Sequence, residues 1–193
     1  MRLFLGLALP GPVLDMLTAC RAAVVDADPS WAREKWVAPD NLHVTVRFLG
    51  ELADADARLL QGRLCTAFED VAAYTLRLDR PAAIPRPQSA SMLWVEGSGG
   101  AEQTTALAAR ADAAANGLAG PPDTRRFRTH VTLCRARTPH SLAPHALEAL
   151  KLVTRAVDDP ARSMSVREVT LYSSVLTRSG PVYAVLERFP LGR

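Results

Sequence analysis

Apolar and polar residues alternate along "NLHVTVRFLG", residues 41 to 50, with Val44 and Val46 between His43, Thr45 and Arg47. Successive strand side chains face opposite sides, so the pattern predicts a half-buried strand from about Leu42 to Phe48 with His43 and Thr45 on one face. "RTHVTLCRAR", residues 128 to 137, repeats the frame with His130 and Thr132 against Val131 and Leu133. Other runs of the same period predict strands over Arg2 to Leu9, "YTLRLDR", "SMLWVEG", "SVREVTLYSSVL" and "PVYAVLERFPL", the last two joined at "TRSG" as a hairpin.

Helical spacing is found in four places. A helix begins near Val13 after the Pro10–Gly11–Pro12 break. "ADADARLLQGRLCTAFEDV" sets Leu59, Leu60, Leu64 and Phe68 on one side, "AEQTTALAARADAAANG" ends at Gly117 as a C-terminal cap, and "SLAPHALEALKLV" makes a short helix. The Pro-rich "RPAAIPRPQSA" reads as loop, as does "LAGPPDTRRF". Each half of the chain then holds strands, one His-x-Thr strand and helices. The pattern predicts an α+β fold of mostly antiparallel sheet, organised as two related lobes within a single domain of residues 1–193.

Composition narrows this little. A chain of 193 residues with 48% hydrophobic residues can bury a full core, and its net charge of +3 lacks the lopsidedness of a nucleic-acid arm. The positive charge is almost all arginine, since Lys35 and Lys151 are the only lysines. Arginine suits bidentate contact with phosphate. Cys20, Cys65 and Cys134 are odd in number and lack metal-ligand spacing, which argues against a disulfide framework or a zinc site and fits a reducing cytoplasm. The N-terminal apolar run is broken at Pro10 and interrupted at Asp15, so it reads as structure rather than a secretion signal. No window approaches the ~18 apolar residues of a membrane span. No membrane association is expected.

The duplicated frame carries the chemistry. Two of only four histidines fall in it. If the strands lie side by side, two imidazoles and two hydroxyls converge in one groove. One imidazole can take a proton from water while the other protonates a leaving oxygen, and the hydroxyls can donate to phosphate oxygens. This needs no metal or cofactor. A single His-x-Thr is a common accident; the repetition is what distinguishes it. His140 and His145, spaced i and i+5, read as surface residues.

These features resemble the 2H phosphoesterases, named for two H-x-[T/S]-x motifs, and within them the RNA 2′,3′-cyclic phosphodiesterases, also called LigT-like or 2′-5′ RNA ligase family proteins. The resemblance runs nearly end to end, through "MRLFLGLALP", "WVAPDNLHVTVRFLGEL", "AIPRPQSASMLWV", "FRTHVTLCRAR" and "VTLYSSVLTRSGPVYAVLERFPL". Thr129 stands where the family usually has proline, and Cys134 where it has a small or apolar residue. The resemblance implies a bilobal fold with pseudo-symmetric lobes, outer helices and the two motifs facing across a central groove. It implies hydrolysis of a 2′,3′-cyclic phosphate on RNA to a 2′-phosphate, with His43 as general acid, His130 as general base, and Thr45 and Thr132 holding the phosphate. The polarity of the two histidines comes from the family alone. Arg135 matches an arginine that follows the second motif in the family; strict alternation turns it away from His130, and it reaches phosphate if the strand ends or bends near Cys134. Phe48, at the same offset from His43, is either a core residue or a base-stacking one. Arg47 shares the groove face by parity. Arg128, with Arg125 and Arg126, either guides RNA or forms a solvated loop. The partner expected is RNA with a cyclic phosphate end or a cyclic nucleotide, bound by a monomer. Another cyclic nucleotide, a 2′-5′ oligonucleotide, a ligase side activity and a non-catalytic RNA-binding module remain the alternatives.

Overall fold

The computed structural model describes residues 1–121, 125–178 and 180–192. Part of the predicted loop "LAGPPDTRRF" and Ser179 of the predicted turn "TRSG" lie outside them. The strands are β1 (Arg2–Ala8), β2 (Lys35–Trp36), β3 (His43–Glu51), β4 (Tyr74–Arg86), β5 (Ser89–Gly97), β6 (His130–His140), β7 (Ser163–Val166), β8 (Glu168–Thr177) and β9 (Gly180–Pro190). The helices are α1 (Gly11–Ala27), α2 (Asp54–Phe68), α3 (Ala101–Ala115), α4 (Pro144–Ala156) and the one-turn α5 (Asp159–Arg162).

Among the described residues the strands form one curled, antiparallel sheet in the order β7-β4-β5-β6-β3-β1-β8-β9, with β2 added to β6. The two His-x-Thr strands, β3 and β6, occupy its centre. Four strands of that order lie on each side of the β6–β3 junction, and β2 is the ninth. Helices cover the convex side: α4 packs on β4 beside α1, while α3 crosses β3 and α2 pairs with α3 and touches β9. The α+β class and the mostly antiparallel sheet follow the sequence pattern.

Helix stripes explain the packing. In α1 Val13, Met16, Leu17, Cys20 and Val24 are buried at three- and four-residue intervals, and α2 buries Ala57, Leu60, Leu64 and Phe68. Each fully buried large side chain contributes ~1.5–3 kcal/mol. Leu59, expected in the α2 stripe, is 51% exposed because it sits about 100° round the helix from Leu60. Gly117 takes φ +75° just beyond α3, the left-handed conformation of a helix end. No helix among the described residues is long and apolar enough to cross a membrane.

Two segments depart from expectation. The Pro-rich stretch from Arg80 is strand: β4 and β5 pair from Leu78↔Gly97 to Arg86↔Ser89, leaving a tight turn at Pro87 and Gln88. Proline is tolerated there because β4 pairs with β7 only over Tyr74–Arg77, so among the described residues no strand pairs with its second edge beside Pro81 and Pro85. The run "SVREVTLYSSVL" is two strands broken at Arg167, β7 pairing with β4 and β8 with β1. Its continuous apolar alternation hides the change of partner.

Candidate active site

β3 and β6 meet at a single antiparallel pair, Val44↔Val131, both wholly buried. Extending that register by one residue on each side sets His43 across from Thr132 and Thr45 across from His130. The four motif side chains thus occupy one face of the sheet and are all half-buried. β5 takes one edge of β6 throughout, so β3 and then β2 must share the other.

Each imidazole is held by its own strand. His43 Nδ1 lies 2.7 Å from the carbonyl oxygen of Asn41, and His130 Nδ1 lies 2.7 Å from that of Arg128. A carbonyl only accepts, so Nδ1 carries hydrogen in both rings and Nε2 is the working nitrogen. In neutral His43 the Thr45 hydroxyl donates to Nε2 over 2.9 Å. Trp94 stacks on His130 with ring centroids 3.7 Å apart and 18° between planes. Phe4 lies 4.8 Å from the His43 ring, and Tyr183 meets it edge-on at 5.5 Å. Gly6 makes room for that ring, since a Cβ there would stand 3.3 Å from His43 Cδ2 and 3.2 Å from Val44 O. Trp94, Phe4, Tyr183 and Gly6 were not singled out from the sequence. Their own segments carry a strand pattern, but their neighbours come from distant strands.

A β-bulge follows each motif at the same offset. Leu5 and Gly6 oppose Arg47 and Thr45, leaving Val46 as the extra residue; Leu93 and Trp94 oppose Cys134 and Thr132, leaving Leu133. Each bulge places two consecutive core-facing residues on its strand and reverses the later parity. Leu133 and Cys134 are therefore both buried, and Arg135 returns exposed to the groove face. Phe48 likewise is 61% exposed, 6.1 Å from Phe4 between centroids, which excludes the core alternative for it. Arg47 is corrected in the opposite sense. It turns to the helix side, where Nε meets Asp112 Oδ1 of α3 at 2.5 Å and Nη2 donates to Gly120 O at 2.7 Å.

Arg128 pairs with Glu96 and sets its guanidinium 5.2 Å from the Trp94 ring centroid. Arg125 and Arg126 are exposed in the segment ahead of β6. His140 is half-buried rather than a surface residue: it stacks on Trp31 at 4.4 Å and lies 3.5 Å from Glu34, at the far end of β6 from His130. His145 is exposed, its Nε2 2.7 Å from Ala27 O. Among the described residues no three His, Cys, Asp or Glu side chains gather as a metal site.

The family model described as LigT-like phosphoesterase matches this chain twice in succession, over residues 9–94 and 95–183. The chain belongs to the LigT-like phosphoesterases. A curated protein of Aeropyrum pernix, named RNA 2′,3′-cyclic phosphodiesterase, is 30% identical over 153 residues, which is 79% of this chain and 83% of that one. A protein of the same name from Aquifex aeolicus is 30% identical over 161 residues, 82% of each chain. The crystal structure of E. coli LigT complexed with 3′-AMP has a TM-score of 0.76 and 25% identity, covering 100% of this chain and 98% of that one.

In this LigT-like phosphoesterase both site histidines are held below the ordinary imidazole range. Burial is the largest cause for His43, and the Arg135 cation adds to it, against the opposing effect of the Asn41 carbonyl. For His130 burial again leads, the Arg128 carbonyl opposes it, and the cations of Arg135 and Arg128 and the neighbouring His43 push further down. Arg135 therefore acts on both rings. At neutral pH the free site holds two neutral imidazoles with lone pairs on Nε2, beside a guanidinium. An anion bound between them would favour protonation of one ring. The arrangement can do paired proton transfer at a phosphate.

Proposed function

We propose that the protein hydrolyses the 2′,3′-cyclic phosphate at the end of an RNA strand and leaves a 2′-phosphate. The observation carrying this is the pair of Nδ1-anchored imidazoles on adjacent strands, both presenting Nε2 to one groove. His130 Nε2 takes a proton from water as the water oxygen bonds to phosphorus. The bond from phosphorus to the 3′ oxygen breaks, and His43 Nε2–H gives that oxygen its proton. One water is consumed, and the proton left on His130 returns to His43 through solvent. Thr45, Thr132 and Arg135 hold the non-bridging oxygens.

The environments support this polarity. His130 faces two cations, Arg128 and Arg135, which favour the neutral base, whereas His43 faces Arg135 alone. The names of the Aeropyrum and Aquifex relatives support RNA as the substrate. Exposed Phe48 offers a stacking surface for the terminal base. The deciding assay is incubation with an RNA ending in a 2′,3′-cyclic phosphate, in EDTA, with products resolved by phosphorus NMR and a 3′-specific phosphatase. A 2′-phosphate is expected. A 3′-phosphate would mean that the leaving oxygen is wrong; activity lost in EDTA and restored by a divalent ion would mean that the histidines are not sufficient.

The pH dependence follows with a definite sign. The base must be neutral and the acid protonated, and both free-enzyme values lie below the ordinary 6.5. The profile of kcat/KM should be a bell centred on the acid side of 6.5. The phosphate anion stabilises the imidazolium in the complex, so the alkaline limb of kcat should lie at higher pH than that of kcat/KM. A kcat/KM maximum on the alkaline side of 6.5 would contradict the burial argument.

A further inference from the structure

The groove face continues past the motifs. Antiparallel β2 pairs with β6 through Trp36↔Cys134 and Lys35↔Arg135. Trp36 is half-buried toward α1, with the Arg21 guanidinium 5.7 Å over its ring, and Cys134 is fully buried. Lys35 and Arg135 therefore share the opposite, groove face, and both are exposed. Three cross-strand pairs follow one another there: His130 with Thr45, Thr132 with His43, Arg135 with Lys35. Because the bulge removes Leu133 from the count, the third pair lies two ladder steps beyond the second, ~6.6 Å along the sheet.

Like charges directly opposite on one sheet face are destabilising. Arg135 Nη1 contacts Met92 Sδ at 2.9 Å, and among the described residues neither cation meets a carboxylate. The adjacent Glu34 points to the other face, where it accepts from Arg137 N at 2.6 Å and neighbours His140. Two unneutralised cations facing one another beside a phosphate site make a second place for an anion. The spacing from His43 is the scale of one nucleotide of backbone.

We propose that Lys35, set against Arg135, forms a second anion subsite that binds the phosphodiester joining the terminal nucleotide to the rest of the RNA strand. This rests on the RNA-end reading above and adds to it a preference for polynucleotide ends over cyclic mononucleotides. Arg135 reaches toward the histidines and the reacting phosphate. Lys35 takes the next phosphate along the strand.

The test compares 2′,3′-cyclic AMP with the dinucleotide ApA ending in a 2′,3′-cyclic phosphate, at low salt, for the wild type, Lys35→Gln and Lys35→Arg. The wild type should favour the dinucleotide in kcat/KM. Lys35→Gln should cut the dinucleotide-to-mononucleotide ratio by about tenfold, the scale of one charged contact, and Lys35→Arg should restore most of it. The slope of log kcat/KM against log salt should be steeper for the dinucleotide by ~0.7, and Lys35→Gln should remove that excess. Its Tm should not fall, since a like-charge pair is relieved. An equal proportional loss on both substrates would place Lys35 on the reacting phosphate, and an unchanged ratio would leave it without a ligand; either overturns the subsite alone. A wild type that hydrolyses neither substrate would overturn both the subsite and the RNA-end reading.

Discussion

His43→Ala and His130→Ala should each lower kcat by about 10²–10⁴-fold, the contribution of one positioned proton carrier. The double variant should be little slower than the worse single one, because both transfers belong to one displacement and removing either disables it. The geometry sharpens this. Each ring is anchored through Nδ1 to a carbonyl two residues before it, so among the described residues each substitution breaks no hydrogen bond to another strand and removes ring contacts, with Trp94 or with Phe4 and Tyr183. Circular dichroism of both variants should match the wild type. Steady-state kinetics on an RNA with a cyclic phosphate end would check the rates. A folded His130→Ala enzyme with a near-normal rate would remove the second motif from the mechanism.

The second large effect is expected at Arg135. Its charge reaches both histidines, so in the proposed mechanism it would stand where negative charge builds up on the phosphate oxygens. Removing one aligned donor of such charge typically costs about 10²–10³-fold in kcat. Arg135→Met should fall in that range. Arg135→Lys should recover only part, since an ammonium cannot make the paired contact of a guanidinium. Arg135→Met also removes one cation from beside both rings, so its kcat/KM bell should shift to higher pH. A pH–rate series on the variant reads both effects. A rate loss with an unmoved bell would place the guanidinium away from the imidazoles.

Arg135 also marks the limit of what the chain discloses unaided. The frames at His43 and His130 were legible because strand alternation is local: two residues on one face need no knowledge of a partner. The helix stripes were legible for the same reason. A bulge is different. Val46 and Leu133 become extra residues only against Gly6 and Trp94 on other strands, and nothing in "VTVRF" or "VTLCR" announces it. Parity past the bulge accordingly sent Arg47 to the wrong face and left Phe48 and Arg135 undecided. The same nonlocality hid Trp94, which becomes the floor under His130 through the pairing of β5 with β6. Pro81 and Pro85 misled for another reason. Proline signals a loop when the pairing is unknown, yet an edge with no neighbour tolerates it.

The anchoring of each histidine to its own strand makes the two halves independent in one respect. Because Nδ1 is fixed by a carbonyl only two residues upstream, each half orients its own imidazole without help from the other. The antiparallel pairing of the two strands brings the two imidazoles to one face, and the bulge after each motif gives each strand one further groove-facing position. At that position one strand has an aromatic ring, Phe48, and the other a cation, Arg135. The two halves share one device and differ in the chemistry that stands just beyond it.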